Sequence, residues 1–561
     1  MNNYLPTDYQ SFIATSRYAR WLDTENRREN WGETVQRFID NVIHGKVDPR
    51  TEDDIRSAIL NLEVMPSMRS IMTAGPALLR DNTAGYNCAY MPVDDTKSFD
   101  EAMFILLCGT GVGFSVERQY INKLPEIPEL LFVSDDVITV HDSKEGWAKA
   151  LRKLIALLYA GEIPTWDVSK VRPAGAKLKT FGGRASGPAP LVELFKYTIA
   201  KFNDAKGRRL SSIEVHDIMC KIGEVVVVGG VRRSAMISLS NLSDDRMRNA
   251  KSGMWWEHQG QRALANNSVA YTEQPDMETF MREWLSLVES KSGERGIFSR
   301  PASRKQAAKS GRRDTGFEFG TNPCSEIILR PDNAGLIKTL EYLKQVSVAT
   351  NVEWADKLGI PHSTATTTVK PSGTVSQLCD SASGIHARHS QHYVRTVRGD
   401  NKDPLTQFMV DQGIPSEPCV MKPDSTTVFS FPQKSPEGAV TRNDMSAIEQ
   451  LDFILTYQRH WTEHKVSCTV TVKDSEWMEV GAYVYKHFDE MSGVSFLPHS
   501  DHSYQQAPYQ DCTRHEYDML LSVMPERIDW ARLSEYETED TSKGTSTFAC
   551  SGSTCEIVDL T

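Results

Sequence analysis

The chain is organised around seven residues near its middle, Thr321-Asn322-Pro323-Cys324-Ser325-Glu326-Ile327. In extended backbone, residues i, i+2 and i+4 point to the same side. Asn322, Cys324 and Glu326 can therefore face one ligand together. An amide, a sulfur and a carboxylate suit a site that hydrogen-bonds a polyol while the sulfur attacks it. The same residues also describe a strand with one buried, inert cysteine. A Gly- and Phe-rich approach, Gly316 to Gly320, leads into the stretch, and Pro323 directly precedes the cysteine.

The length of 561 residues allows several ordinary domains or one large catalytic barrel with additions. Hydrophobic content of 40% with 24% charged residues describes a soluble globular protein. A net charge of −11 argues against a general nucleic-acid or anionic-membrane binder, and leaves room for a local basic pocket. No apolar run approaches a membrane span, and Met1-Asn2-Asn3-Tyr4 lacks the pattern of a signal peptide. Ten cysteines make no disulfide framework, which points to a reducing, cytoplasmic setting. No CxxC…CxxC zinc pattern occurs.

Residues 7–63 read as helical, with Thr51 and Asp54 as a helix start. A strand is expected over 86–93 and a helix from Ser98 to Leu107. The block Gly109-Thr110-Gly111-Val112-Gly113-Phe114 fits no dinucleotide fingerprint, because it follows a predicted helix; close backbone packing is the better reading. Trp147, Leu151, Leu154, Ile155 and Leu158 share a helical face. Arg172 to Pro188 forms a Gly/Lys/Arg-rich loop. Val225–Val228 reads as a buried strand that turns off through Gly229-Gly230-Val231-Arg232-Arg233-Ser234. Helices at 276–290 and 336–357 and a strand near 364–369 follow. This alternation argues for an α/β fold with parallel strands. The stretch from Thr538 to Thr547, charged and without apolar side chains, reads as a linker.

Four further features carry chemistry. Cys88 lies in its strand. Lys370-Pro371-Ser372-Gly373-Thr374-Val375-Ser376 offers backbone N–H groups and hydroxyls suited to a phosphate, without Walker A spacing. An ordinary strand-to-helix turn would use the same residue types. Cys550 and Cys555, behind the linker, can close a disulfide and carry electrons deeper into the protein. His499 and His502, like His386, His389 and His392, have metal-like spacing but no accompanying glutamate motif, and we assign no metal site.

Together these features resemble the large chain of a ribonucleotide reductase. The segments MPSMR, AGYNCAYMPVD, GTGVGFSVER, RPAGAKLKTFGGRASGP, VVGGVRRSAMISLSNLSD, KPSGTVSQL and SFLPHSDHSYQQAPYQ are similar to the class II, adenosylcobalamin-dependent branch, most of all to its monomeric ribonucleoside-triphosphate reductases. The resemblance implies a ten-stranded α/β barrel over 65–537 with a finger loop through its centre. An N-terminal helical region (1–64) and a redox-active tail (538–561) would flank it. Cys324 would be the thiyl radical at the loop tip, Glu326 would deprotonate the ribose 3′-hydroxyl and Asn322 would hold the sugar hydroxyls. Cys88 would be one of two thiols that reduce the 2′ position. Ser372, Gly373, Thr374, Val375 and Ser376 would bind the substrate phosphates, with Ser67 and Asn87 at the sugar end. Asp95 would contact the ribose of a dNTP effector, and Arg232 would lie in the loop that relays effector identity. Cys550 and Cys555 would re-reduce the active site and pass the load to thioredoxin. The implied cofactor is adenosylcobalamin, and the implied assembly a monomer or weak dimer.

The chain departs from the family in one place. The family puts the partner of Cys88 shortly after the finger loop, yet no cysteine occurs between Cys324 and Cys379. A block of barrel is missing around Pro331 to Gly335. Two rivals follow: a class I-like large chain that needs a metal-radical subunit, and a nucleotide-binding remnant impaired by loss of the second thiol.

Overall fold

The computed structural model describes residues 5–80, 82–174, 176, 186–228, 236–290, 293–322, 333–370, 372–466, 468–499 and 505–537. Its central feature is a seven-stranded sheet, whose strands we number β1 (Cys88–Pro92), β2 (Gly111–Ser115), β3 (Met236–Ser240), β4 (Ala265–Tyr271), β5 (Gly296–Ser299), β6 (Thr469–Val472) and β7 (Gly493–Pro498). The spatial order is β1-β2-β3-β4-β5-β7-β6. The first five strands run parallel, with Cys88 opposite Gly111, Val112 opposite Met236, Met236 opposite Ala265 and Ser268 opposite Gly296. β7 joins β5 antiparallel and β6 joins β7 parallel. Strands that alternate with helices and bury both faces in this way account for the apolar runs of the sequence. Among the described residues this sheet has seven strands, against the ten expected, and its closure into a barrel is not seen.

Beside it, Phe132–Thr139 and Glu162–Asp167 form a parallel pair, joined by the helix Lys144–Tyr159. That helix forms because Ser143 caps it, accepting from the Gly146 amide, and because Leu151, Leu154, Ile155 and Leu158 line one buried face. A four-stranded antiparallel sheet comprises Ser416–Pro418, Thr426–Lys434, His392–Asp400 and Tyr509–Asp511. The N-terminal helices share a core with this sheet: Phe12 stacks on Phe431, and Leu378, Val397 and Phe408 fill the same cluster.

Several expectations hold. The helix Ser98–Leu107 and the strand at Cys88 stand where they were read. Others need correction. Val225–Val228 is no strand; it ends the helix Ser212–Val228. Buried Val215, Ile218, Met219 and Ile222, at a spacing of three and four, extend a helical face into the β-branched run, so tertiary burial overrides local propensity. The segment 364–369 is irregular apart from one parallel bridge, Val369 to Val466. The N-terminal region interrupts its helices with a small hairpin, Trp21–Leu22 against Arg27–Arg28. Its third helix starts at Pro49 instead of Thr51, because Asp48 is the cap and accepts from Arg50 N and Thr51 N.

The helix Asn333–Leu358 is exceptional. Leu340 and Ala355 are buried, whereas Tyr342, Leu343 and Val346 face solvent. It follows the junction at which the sequence reading places the missing block.

An ion pair ties the helix Ala447–His460 to the end of Trp477–Lys486: Arg459 donates to both Glu490 oxygens at 2.7 and 2.8 Å. The Arg459 bonds, opposed by partial burial and supported by His487, push the Glu490 carboxyl down to about 2. A depressed carboxylate stabilises above its ordinary value of 4.5 and loses that contribution as pH falls toward 2. In thermal melts, Arg459→Met should therefore lower Tm at pH 6 and converge with the parent near about pH 2. The difference should be at most about 1 kcal/mol, as for other exposed pairs.

Candidate functional site

The first part of the site is the stem that leads into the cysteine stretch. Phe319 packs with Tyr90 against Leu239, Ala270 and Phe298, so the stem crosses the sheet face over β1, β3, β4 and β5. Two glycines permit the approach. A Cβ on Gly320 would overlap the Tyr90 ring, and a Cβ on Gly113 of β2 would overlap the Thr321 carbonyl oxygen. Close backbone packing, the reading given to the Gly109–Phe114 block, is thus what Gly113 serves. Asn322 ends the described part of the stem, half-buried. Cys324 and Glu326 lie outside the described residues, as do Arg232, Cys550 and Cys555.

The second part is Cys88. It begins β1, half-buried, opposite Gly111. Lys370 Nζ lies 3.8 Å from its sulfur, across 282 residues of sequence. The sequence put Cys88 and the phosphate loop forward separately; the fold brings them together. Asn87, just before Cys88, fixes the strand start by accepting from the Gly111 amide at 2.9 Å. Ser67 caps the helix Met68–Thr73, its hydroxyl accepting from Ser70 N. Arg69, on that helix, is buried and donates to the Gly109 carbonyl. Burial pushes its guanidinium down, while Cys88 and Cys108 pull the other way. Sequence reasoning gave Arg69 no role, although it stands in the quoted MPSMR segment.

The third part is the loop 372–376. Ser372 Oγ accepts from Ser376 N at 2.7 Å, and the Ser376 hydroxyl donates to the Ser372 carbonyl at 2.7 Å. Ser383 closes the loop from behind, donating to the same carbonyl and accepting from Ser372 N. Thr374 and Ser376 are buried, and Val375 starts a four-residue helix, Val375–Leu378. The N-terminal helix braces it from below: Gln10 donates to the Leu378 carbonyl at 2.6 Å, and Tyr9 donates to Gln377 at 2.9 Å. His464 stands near Lys370. Burial first, then Arg313 and Lys370, push its imidazole down to about 4, so it is neutral at pH 7 and can accept from Arg313.

Asp95 lies beyond the other end of β1. Its carboxylate accepts from Lys97 N at 2.8 Å and precedes the helix Ser98–Leu107. Seven residues of largely extended chain separate it from Cys88, about 20 Å. An effector at Asp95 would act from a distance.

A cavity of about 130 Å³ adjoins the loop, lined by Gln377, Ser383, Arg388, Arg442 and His499. His499 Nε2 and Arg442 Nε are buried there without a hydrogen-bond partner among the described residues. No cluster of metal-ligating side chains occurs among the described residues.

A family model described as "B12-dependent ribonucleotide reductase, insertion domain" matches residues 129–201, which include the parallel pair and its helix. The adenosylcobalamin-dependent ribonucleoside-triphosphate reductase of Lactobacillus gasseri is 25% identical over 685 aligned positions, covering 89% of this chain and 90% of that protein. The enzyme of the same name from Euglena gracilis is 26% identical and covers 91% and 81%. A B12-dependent (class II) ribonucleotide reductase crystal structure superposes with a TM-score of 0.79 at 21% identity, covering 93% of this chain and 95% of that one. Over nearly its whole length the chain is thus similar to class II, B12-dependent ribonucleotide reductases. The class Id alpha subunit of Actinobacillus ureae fits less well, with a TM-score of 0.51 at 10% identity. The alignment with the Lactobacillus gasseri enzyme has more positions than this chain has residues, so that relative carries segments opposite gaps here.

Proposed function

We propose that this chain converts ribonucleoside triphosphates to 2′-deoxyribonucleotides by thiyl-radical chemistry, for DNA synthesis, with adenosylcobalamin as cofactor. Among the structural observations, the meeting of Cys88 with the loop 370–376 carries this reading most directly. A reducing thiol must reach the sugar of a nucleotide whose phosphates are held nearby, and these two elements are adjacent.

The loop Ser372 to Ser376 binds the phosphates through the backbone amides other than those of Ser372 and Ser376, which the Ser383 and Ser372 hydroxyls already take, with Lys370 as a nearby positive charge. Ser67 and Asn87 line the sugar end. Asn322 holds the ribose hydroxyls. The Cys324 sulfur takes the 3′ hydrogen atom, because that C–H bond is too strong for a general base. Glu326 accepts the 3′-hydroxyl proton. The 2′-hydroxyl then leaves as water with one proton, Cys88 and a second thiol supply the two electrons and the hydrogen at C2′ and become a disulfide, and Cys324 returns the hydrogen atom to C3′.

The cavity beside the loop, at about 130 Å³, is far smaller than the whole cofactor and could meet one amide or phosphate group of it at most. Arg442 and His499 have unmet hydrogen-bonding capacity there, and Arg388 and Gln377 add donors. When bound, adenosylcobalamin supplies the initiating radical by Co–C homolysis. The protein positions the thiol and excludes water. Asp95 and Arg232 serve a dNTP effector. Cys550 and Cys555 on the tail (538–561) exchange electrons with thioredoxin or a similar dithiol, which fits a chain working in the reducing cytoplasm, as a monomer or weak dimer. The barrel spans 65–537 and the N-terminal helical region 1–64. No helix among the described residues is long and apolar enough to cross a membrane.

The test is direct. The purified chain, given adenosylcobalamin, ATP or CTP and a dithiol, should form the deoxynucleotide with no second protein. Product that appears only after a metal-radical subunit is added would favour the class I-like rival.

A further inference from the structure

We propose that Arg300 and Glu117 are positioning residues for the radical loop: their buried ion pair fixes the stem 319–321 against the sheet and so sets where Cys324 stands. Glu117 lies two residues past β2, and Arg300 opens the helix Arg300–Ser310 directly after β5. Both side chains are buried, at 0% and 1% exposure. The pair is bidentate, with Arg300 Nη1 and Nη2 donating to Glu117 Oε1 and Oε2 at 2.7 and 2.6 Å. Ser115 Oγ and Gln119 Nε2 complete the carboxylate at 2.7 and 2.9 Å. The remaining edge of the guanidinium leaves the pair: Arg300 Nε donates to the Phe319 carbonyl at 3.0 Å.

Fold stability alone does not account for this arrangement. A buried ion pair can often be replaced by apolar side chains without loss of stability, because desolvation cancels much of the attraction. What apolar side chains cannot do is hold a backbone carbonyl of the stem. β2 and β5 are three positions apart in the sheet, and the pair joins their ends at the point where the stem crosses. Gly320 against Tyr90 and Gly113 against Thr321 then leave the stem little room to slide. Only two peptide links separate Asn322 from Cys324. A displacement of the stem is therefore passed on to the sulfur, and an error of about 1 Å at a reacting atom can cost about 100-fold in rate.

The proposal rests on the reading of Cys324 as the radical thiol, so its test needs a readout that does not require turnover. The double variant Glu117→Leu, Arg300→Met removes both charges together and should fold. We expect KM for the ribonucleotide to stay within about twofold of the parent while kcat falls about 100-fold. In protein without cofactor, iodoacetamide labelling of Cys324, read by peptide mass, should change about tenfold relative to Cys88. Arg300→Lys serves as a second variant with the same two readouts. Parental kcat and parental labelling in either folded variant would overturn the proposal. Failure of both to fold would also overturn it, because the pair would then be a structural element. An active Cys324→Ala enzyme would remove the radical reading, yet labelling of the parent and the double variant would still report whether the pair places the stem.

Discussion

Replacing Cys324 by alanine is expected to abolish deoxyribonucleotide formation, by about 10⁴-fold or more, while nucleotide binding changes less than about twofold. The size of the effect follows from the chemistry. Breaking the ribose 3′ C–H bond homolytically requires a radical acceptor, and Asn322 and Glu326 can supply only hydrogen bonds and proton transfer, which are worth far less. Serine should fail as completely as alanine, because it offers no thiol. Binding should persist, since the phosphate loop is braced by Ser383, Gln10 and Tyr9, all remote from residue 324 in sequence. Product chromatography and calorimetric titration with ATP measure the two quantities. If parent and alanine variant bind nucleotide alike and neither makes product, the chain is a nucleotide-binding remnant whose cysteine does nothing.

Some elements around the candidate site were legible in the sequence, because local chemistry wrote them there. The helix Ser98–Leu107 announces itself by apolar periodicity. The glycines at 113 and 320 announce that something passes close, although not what. Contacts between distant segments were not legible. Nothing in the spacing of Lys370 says that its ammonium reaches Cys88, and nothing about Arg300 or Glu117 says that they meet above the sheet. Those contacts depend on strand order, which pairs elements by burial instead of sequence proximity. Val225–Val228 failed for a related reason. A run of valines favours a strand only if its neighbours do not already form a helical face, and Val215 to Ile222 form one. The exposed apolar side chains of Asn333–Leu358 could not be foreseen as exposed either, because the pattern specifies a face and not whether anything covers it.

Replacing Cys88 by alanine is the second large effect. Deoxyribonucleotide should fall by about 10³-fold, while exchange of the 3′ hydrogen of the substrate continues. The two outcomes separate because the two sulfurs do different work. Cys324 acts on C3′ and needs no net electrons. Reduction at C2′ consumes two electrons and two protons as the hydroxyl leaves as water, and thiols that give them up end as a disulfide. Cys88 is placed to contribute one thiol, with Lys370 Nζ 3.8 Å away and Arg69 beside it. The second thiol is the open question of this chain, because no cysteine lies between Cys324 and Cys379. Among the described residues, none of the seven cysteines is joined in a disulfide. Without a partner thiol between Cys324 and Cys379, the electrons must come from another dithiol, either the tail pair Cys550 and Cys555 or one added from outside. Pre-reduced protein carrying Cys550→Ser and Cys555→Ser should then yield well under one deoxynucleotide per chain when no dithiol is added, and turnover should rise in proportion to the dithiol supplied. A full equivalent of product without added dithiol would instead mean that a second internal cysteine closes a disulfide with Cys88. Cys379, half-buried four residues beyond Val375, would be the first to replace. Tritium released from 3′-labelled substrate, measured beside the deoxynucleotide, distinguishes the cases. If Cys88→Ala loses both signals together, Cys88 is needed before the 3′ step and its assignment as a reducing thiol is wrong.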